Sequence, residues 1–247
     1  MTRKILAPLE DQLPALAEAL RLPLVSLQFH LRDLRCDAEF IGMLNREVAT
    51  APSFDGTRFV SSREFRAWRE ALYVLVRAMR PRVVIETGVH HGFSTALILR
   101  AIQKNGHEGA LFSLDLDPAD EDYRKLDKSL RTLPPDRLPG WIVPDELRGA
   151  HALLLQPSRM GLRVLEDRRP DIFIHDSDHG AANVLHEILW AWERLPKDGL
   201  LVVDNTEESW GVVSDFLSRR LLARYHTIVN VSAPPEARWE TTFVMKG

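Results

Sequence analysis

The sequence predicts an α/β protein with a doubly wound, seven-stranded, mainly parallel sheet and an N-terminal helical extension. From residue 83 onward, short apolar runs alternate with amphipathic segments of helical length, which is the pattern of repeated β–α–β units. A glycine-containing turn follows the first run, and acidic residues follow several of the others. The last two runs have no helix between them, so we expect the final strand to be antiparallel.

Seven short apolar runs bounded by turn residues are predicted to be strands. They are Val83–Glu86, Ala110–Asp115, His151–Gln156, Asp171–Asp176, Leu200–Asp204, Arg224–Val231 and Glu240–Lys246. The segments predicted to be helices between them are Ser94–Gln103, Glu121–Arg131, Arg159–Glu166, Ala182–Leu195 and Ser209–Arg220. The Pro-rich stretch Leu133–Pro144 is predicted to be a long loop.

Two or three short helices are predicted before the sheet, because leucines recur at helical spacing in residues 5–48. A connector over residues 51–56 leads to a stronger amphipathic helix, in which Ser61 and Glu64 have the spacing of a capping box. Pro81 ends that helix. We therefore divide the chain into a helical extension, residues 1–60, and a ligand-binding domain, residues 61–247.

The composition excludes several classes of protein. A net charge of −3 over 247 residues, with both signs interspersed, does not favour nucleic acid or an anionic membrane as a partner. The single cysteine, Cys36, excludes an intramolecular disulfide framework. No apolar stretch is long enough to span a bilayer, and Pro8 and Glu10 interrupt the apolar residues near the start. We expect a cytoplasmic protein, with a symmetric homodimer as the default assembly.

The turn after the first predicted strand has features of an anion site. Gly88 can adopt a positive φ, and Gly92 has no Cβ to keep the backbone away from a ligand. Ser94 lies at the start of the next helix, where free N–H groups and the helix dipole attract a carboxylate or phosphate. The spacing from Glu86 to Gly92 is not the Gly-x-Gly-x-x-Gly of dinucleotide-binding proteins. An ordinary tight turn is the alternative.

Asp115 ends the second predicted strand, where an acidic side chain can accept hydrogen bonds from both ribose hydroxyls of a nucleoside. The alternative is a surface acid that caps the next turn, but the preceding glycine turn favours the ribose role. Together, the turn and the acid predict a nucleoside ligand with an anionic tail, lying across the carboxyl ends of the first two strands.

The segment Ile85-Glu-Thr-Gly-Val-His-His-Gly-Phe-Ser94 resembles the first motif of class I S-adenosylmethionine-dependent methyltransferases. Residues 82–204 are most similar to the catechol-type O-methyltransferases and the cephalosporin hydroxylase-like methyltransferase family. The resemblance implies a set of cofactor-binding residues, with Ser158 near the adenine although Pro157 stands where such families often carry glycine. The resemblance puts Glu86, Gly88 and Ser94 around the methionine moiety and Asp115 on the ribose. Gly92 and Asp176 complete the set with Ser158.

Acidic and amide residues end the fourth and fifth predicted strands. Asp176 ends the fourth, and Asp204 and Asn205 end the fifth, so all three face the ligand crevice of a doubly wound sheet. Three oxygen ligands suit a hard divalent cation such as Mg²⁺, and the resemblance to catechol-type enzymes implies the same ligands. Capping of the following helix by Asp204 and Asn205 is the alternative.

His179 is the candidate catalytic base. Catechol-type enzymes have a lysine three residues after the first aspartate, whereas this sequence has histidine, as do some metal-dependent sugar O-methyltransferases that it resembles. A near-neutral pKa suits removal of a proton from a hydroxyl group. Asp178 or His179 could instead cap the next helix, and Trp210 could form a wall of the acceptor pocket.

The favoured function is transfer of a methyl group from S-adenosylmethionine to a hydroxyl of a small molecule, assisted by Mg²⁺ or another divalent cation. One alternative is a metal-independent O- or N-methyltransferase with His179 as base. Another is an iron-dependent hydroxylase with His175, Asp176 and His179 as ligands, although such oxygenases usually have a β-barrel scaffold. A non-catalytic cofactor-binding protein is the last alternative.

Overall fold

The computed structural model describes residues 8–51, 54, 67–106, 108–126, 132–220, 222–231 and 238–247. The predicted capping box at Ser61 and Glu64, and the predicted domain boundary at residue 60, lie outside these ranges. Within them, no helix combines the length and apolar character needed to cross a membrane.

The described elements follow the predicted alternation. The helices before the sheet are α1 (Leu9–Leu20), α2 (Leu24–Arg35), α3 (Ala38–Ala49) and α4 (Ala67–Met79). The strands are β1 (Val83–Thr87), β2 (Ala110–Asp115), β3 (His151–Leu155), β4 (Ile172–His175), β5 (Leu200–Val203), β6 (Arg224–Val231) and β7 (Arg238–Met245). The helices between them are α5 (Phe93–Asn105), α6 (Glu121–Leu126), α7 (Ser158–Val164), α8 (Ala181–Arg194) and α9 (Thr206–Ser218). A 3₁₀ helix, Asp145–Ala150, was not predicted.

The strands form a seven-stranded sheet in the order β3-β2-β1-β4-β5-β7-β6. Strands β1 to β5 are parallel to one another, and β7 lies between β5 and β6, antiparallel to both. The prediction of a mainly parallel sheet with an antiparallel last strand is confirmed. Because β1 pairs with both β2 and β4, the strand order reverses beside β1, which places the switch point between β1 and β4.

Two apolar clusters cover the two faces of the sheet. Helices α1 to α5 pack on one face, and α7, α8 and α9 pack on the other. Alternation along the strands assigns side chains to the faces, so Ile172 and Ile174 of β4 join the first cluster and Phe173 joins the second. Leucines of the N-terminal helices belong to the first cluster, so these helices share the core of the sheet.

A buried ion pair fastens α3 to α5. Nε of Arg100 lies 2.8 Å from Oδ2 of Asp37, and the two residues are 6% and 7% exposed. Asp37 also caps α3, because its Oδ1 accepts a hydrogen bond from the amide of Phe40. Burial alone would raise the pKa of Asp37, but hydrogen bonds, above all from Arg100, outweigh it and hold that pKa at about 2.

Replacing Arg100 by leucine is expected to lower the free energy of unfolding by roughly 3 kcal/mol, because a buried carboxylate loses its main partner. Arg219 provides a matched control, since its ion pair with Asp215 is largely exposed, with side-chain accessibilities of 72% and 62%. Arg219→Leu should cost less than about 1 kcal/mol. Chemical denaturation of both variants measures the difference, and equal losses would contradict the structural role assigned to Arg100.

Candidate active site at the switch point of the sheet

Backbone hydrogen bonds continue the sheet just beyond the ends of β1, β4 and β5. The amide of Gly88 donates to the carbonyl of Leu114 at 2.8 Å, and the amide of Asp176 donates to the carbonyl of Thr87 at 2.9 Å. The amide of Asp204 likewise donates to the carbonyl of His175 at 2.9 Å. The predicted site residues at these strand ends therefore lie side by side at one edge of the sheet.

The two glycines of the turn are required for different reasons. Gly88 has a φ of +83°, and a Cβ there would lie 1.9 Å from the carbonyl oxygen of Asp176, so β1 and β4 meet here with no room for a side chain. Gly92 has a φ of +94°, and its Cβ would lie 2.6 Å from Cα of Gly140. The observed constraint on Gly92 is thus the approach of another backbone segment rather than of a ligand.

That second segment is the middle of the loop predicted over Leu133–Pro144. The amides of Gly140 and Ile142 donate to the carbonyls of His90 and His91 at 2.8 and 3.2 Å. Trp141 is buried, and its Nε1 donates to Nδ1 of His91 at 2.9 Å. The loop supports the glycine turn from behind, a role that no feature of the sequence indicated.

Asp115 lies at the end of β2, as predicted, and binds the turn itself. Its Oδ2 accepts hydrogen bonds from the amides of Val89 and His90 at 2.8 and 2.7 Å, and its Oδ1 accepts from the amide of Leu116 at 2.7 Å. Asp115 therefore holds the amide groups of the turn in place at the carboxyl end of β2.

Glu86 is a buried carboxyl group beneath the turn, with no exposed surface. Its Oε2 accepts hydrogen bonds from the hydroxyls of Thr95 at 2.7 Å and Ser113 at 2.9 Å. Its Oε1 is buried and has no hydrogen-bond partner within the described residues. Burial raises the pKa of Glu86 to about 6, because it outweighs the nearby hydroxyl groups, among them that of Ser94.

Three carboxylates share one face of the sheet. Strand alternation places Glu86, Asp176 and Asp204 on the face covered by α4 and α5, because their neighbours two residues earlier in β1, β4 and β5 all belong to the first cluster. Burial raises the pKa of Asp176 well above its ordinary value, and the charge of Asp204 raises it further. The guanidinium of Arg69, on α4, faces all three carboxylates and opposes this effect.

Asp204 is almost fully buried, at 4% exposure. Burial raises the pKa of its carboxyl group, and a hydrogen bond donated by the hydroxyl of Thr241 on β7 partly offsets that rise. Asp176 and Asp204 are thus two adjacent acids whose pKa values stay raised although Arg69 faces both of them, so a bound cation would stabilise their ionised forms.

The opposite face carries a buried network centred on Glu187 of α8. Oε2 of Glu187 lies 2.7 Å from Nδ1 of His175, and neither residue is exposed. Oε1 accepts from the hydroxyl of Ser177 at 2.8 Å and from the side-chain amide of Asn183 at 2.9 Å. Burial alone would raise the pKa of Glu187, but these donors, His175 first, hold it at about 2. The network anchors the loop after β4, and nothing in the sequence singled out Glu187.

The structure does not bring together the three ligands expected for an iron-dependent hydroxylase. His175 and Asp176 are consecutive and project to opposite faces, and Nδ1 of His175 is bound to Glu187. The cluster of side chains within the described ranges that could share a cation contains Asp176, His179 and Asp204, without His175.

Ser158, which was predicted to lie near the adenine, donates a hydrogen bond from its hydroxyl to Oδ1 of Asn183 at 3.4 Å.

His179 lies at the mouth of this cluster. Its Nε2 is 4.0 Å from Oδ1 of Asp176, and the two side chains are 23% and 25% exposed. Burial lowers the pKa of His179, and the neighbouring His175 lowers it further. Asp178 is exposed and accepts a hydrogen bond from the amide of Gly180 at 3.0 Å, which closes the turn before α8.

Asn205 follows Asp204 with a φ of +48°, and its side chain makes no capping hydrogen bond to α9. The alternative that Asn205 serves as a side-chain helix cap is therefore wrong. Trp210, in the second turn of α9, is 41% exposed, and its predicted place in a pocket wall stays a prediction.

Residues 85–206 match the family model described as a methyltransferase domain. The match begins in β1, ends at the start of α9, and contains the glycine turn, Asp115 and the carboxylate cluster. This part of the chain is similar in sequence to a methyltransferase domain. No curated protein matches the chain in sequence.

Solved structures share the fold of most of this chain. An O-methyltransferase from Bacillus cereus, solved in complex with S-adenosylhomocysteine, is 14% identical, with a TM-score of 0.60 over 89% of this chain and 96% of that one. The Streptomyces achromogenes O-methyltransferase of tomaymycin synthesis, in complex with S-adenosylmethionine, is 15% identical, with a TM-score of 0.58 over 83% and 90%. A putative O-methyltransferase from Klebsiella pneumoniae is 17% identical, with a TM-score of 0.57 over 83% and 90%.

Gly88→Ala is expected to lower the free energy of unfolding of the methyltransferase by roughly 4 kcal/mol or more, because the new Cβ would force β1 and β4 apart. Gly106→Ala isolates the cost of positive φ from that of the clash. Gly106 has a φ of +64° but no neighbouring atom within 4 Å of a built Cβ, so its substitution should cost about 1 kcal/mol. Thermal and chemical denaturation compare the two, and equal losses would show that the close approach is not decisive.

Proposed function

We propose that this chain transfers a methyl group from S-adenosylmethionine to a hydroxyl oxygen of a small molecule, assisted by a divalent cation. The observation that carries the proposal is the pair of adjacent carboxylates, the partly buried Asp176 and the buried Asp204, beside the glycine turn of a methyltransferase domain. The B. cereus and S. achromogenes proteins, which share the fold, are O-methyltransferases solved with the product or substrate form of that cofactor.

The residues around the turn fit the methionine and ribose parts of the cofactor. Oε1 of Glu86 is a buried acceptor without a partner in the described structure, and an ammonium group is the donor that such a carboxylate would bind most strongly. Asp115 lies at the end of β2, where an acidic side chain is expected to meet the ribose. Gly88, Gly92 and Ser94 form the turn between them, so the cofactor set predicted from sequence stands as our proposal, with Ser158 and Asp176 at its edges.

The aspartates fit a cation. A divalent ion between Asp176 and Asp204 would remove the repulsion that raises the pKa of Asp176. When bound, such an ion lowers the pKa of a hydroxyl group placed next to it, which favours attack on a sulfonium methyl group. Oxygen ligands from Asp176, Asp204 and Asn205 are the set that the sequence predicted for Mg²⁺.

Methyl transfer requires the acceptor oxygen to lose its proton and to lie in line with the sulfonium sulfur, which keeps the electron pair of the broken bond. His179 has a lowered pKa, so its imidazole is neutral near pH 7 and has a lone pair to offer. That lone pair can take the proton, which is the base role predicted from sequence, or it can bind the cation.

Asp204→Asn is expected to abolish the heat of Mg²⁺ or Mn²⁺ binding and to leave the binding of S-adenosylhomocysteine within a few-fold of native, because the cofactor lies mainly on the glycine turn. Isothermal titration calorimetry with and without a chelator measures both heats. Asp215→Asn, at an exposed position of α9, is the matched control and should bind both ligands normally. If the native protein does not bind S-adenosylhomocysteine, the proposed function is wrong.

The affinity for S-adenosylhomocysteine is expected to fall as the pH is lowered through about 6. Glu86 has a raised pKa of about 6, so below that value its carboxyl group is protonated and no longer pairs with the ammonium group of the ligand. The loss should approach roughly tenfold per pH unit. Titrations between pH 5 and pH 8 check this, with circular dichroism to confirm the fold. Glu86→Gln should bind weakly at every pH, and a flat native profile would contradict the assignment.

The remaining expectations concern partners and compartment. We propose a small-molecule acceptor rather than nucleic acid or a membrane, because the net charge of −3 provides no strong attraction to a polyanion. A homodimer in the cytoplasm stays a proposal on general grounds.

A further inference from the structure

Three side chains converge at the carboxyl ends of β4 and β5. Asp176, His179 and Asp204 each bring a ligand atom within 4.8 Å of those of the other two. Atoms that bind one ion at about 2.0–2.2 Å lie roughly 3–4 Å from one another. The 4.0 Å between Nε2 of His179 and Oδ1 of Asp176 is already in this range, so small side-chain rotations bring the three atoms to a shared ion.

We propose that His179 is a ligand of the cation, so that the site is an Asp–His–Asp triad that prefers Mn²⁺ or a similar transition-metal ion to Mg²⁺. This inference rests on the proposed function, in which Asp176 and Asp204 hold a divalent cation. It replaces the base role predicted for His179, because one nitrogen lone pair cannot bind the ion and accept the proton of the acceptor at once.

The orientation of the imidazole supports ligation. Nε2 of His179 is shielded from solvent and has no hydrogen-bond partner within the described residues. A buried polar nitrogen without a partner is costly, and a cation at the site of the two aspartates would satisfy it. The ring of His179 meets the ring of His175 edge to face at 5.7 Å between centroids, so His175 supports its position from below.

The loop that carries two of the three ligands is held rigidly. The amide of Asp176 is bound to β1, and the hydroxyl of Ser177 is bound to Glu187 at 2.8 Å. The side-chain amide of Asn183 donates to the carbonyl of Asp178 at 3.0 Å. Supporting hydrogen bonds of this kind fix metal ligands in proteins, and here they fix a carboxylate and an imidazole three residues apart.

Asp204 is fixed as well, because the hydroxyl of Thr241 donates to its Oδ1. The ligand set thus contains two carboxylate oxygens and one imidazole nitrogen. Mg²⁺ prefers oxygen ligands and loses its water reluctantly, whereas an imidazole favours first-row transition metals. The imidazole nitrogen of His179 is therefore the ligand that shifts the preference from Mg²⁺ to a transition-metal ion such as Mn²⁺.

The test uses the full-length protein after removal of metal ions by a chelator. Calorimetry with Mn²⁺ and with Mg²⁺ gives the preference, and pulsed electron paramagnetic resonance of the Mn²⁺ complex reports a directly bound nitrogen. We expect native protein to bind Mn²⁺ more tightly than Mg²⁺ and to show nitrogen modulation. His179→Gln should lose the modulation and roughly tenfold or more of the Mn²⁺ affinity, since even residues that only support ligands commonly have effects of that size.

Two further variants are controls for the assignment of the bound nitrogen to His179. His226→Gln removes a histidine on β6, and Asn205→Ala removes the oxygen ligand predicted from sequence; both should keep the nitrogen modulation. Circular dichroism establishes that each variant is folded. Mn²⁺ binding without nitrogen modulation, or with unchanged affinity in His179→Gln, would overturn the inference.

Calorimetry with S-adenosylhomocysteine separates this inference from the proposed function. If the native protein binds S-adenosylhomocysteine but neither metal ion, the triad is wrong and cofactor binding stands. If it binds neither the metal ions nor S-adenosylhomocysteine, the proposed function fails together with the triad.

Discussion

The placement of the site depends on the contact between Gly88 and Asp176, where the backbones of β1 and β4 meet without room for a Cβ. This contact occurs where the order of the parallel strands reverses, so the turn after β1 and the loop after β4 must diverge to opposite sides. A crevice opens between them. The positive φ of Gly88 turns the chain away from the sheet, and the amides of the turn are then held by Asp115. The glycine turn and the carboxylate cluster are therefore neighbours for a single geometric reason.

Because side chains alternate along each strand, the candidate ligand-binding carboxylates and the residues that support them lie on opposite faces of the sheet. Glu86, Asp176 and Asp204 project to one face, whereas His175 projects to the other and is bound by Glu187. A buried carboxylate is tolerated when several donors surround it, and Glu187 meets that condition through His175, Ser177 and its other partners. These hydrogen bonds support the loop after β4 from below, and the exposed residues of that loop can then contact ligands.

The electrostatics of the two faces differ in kind. On the face that carries Glu187, the pKa of that residue is held at about 2, because hydrogen-bond donors, His175 first, stabilise its ionised carboxylate. On the opposite face the pKa values of Glu86, Asp176 and Asp204 are all raised, which marks acids that lack enough positive charge despite the nearby Arg69. Carboxylates without enough compensating positive charge lower the stability of the free protein and are characteristic of positions that bind ligands. A cation and the ammonium group of the proposed cofactor would each relieve part of it.

The sequence was sufficient to predict the alternation of strands and helices, the antiparallel last strand and the strand-end positions of Gly88, Asp115, Asp176 and Asp204. These features follow from local patterns of apolar residues and from the rule that parallel strands end at one edge. It also indicated the resemblance to methyltransferases through the segment from Ile85 to Ser94, which the family match includes.

Only the tertiary structure decided how residues distant in sequence meet. Gly92 is a glycine because Gly140 packs against it, 48 residues later, and Glu187 supports β4 from a helix that carries no recognisable motif. The separation of His175 from Asp176 required the register of the sheet, and the approach of His179 to the aspartates required the fold of the loop between them. Sequence patterns report what each segment prefers by itself. Which side chains share a face, a charge or an ion depends on contacts between segments, and those are set only when the chain packs.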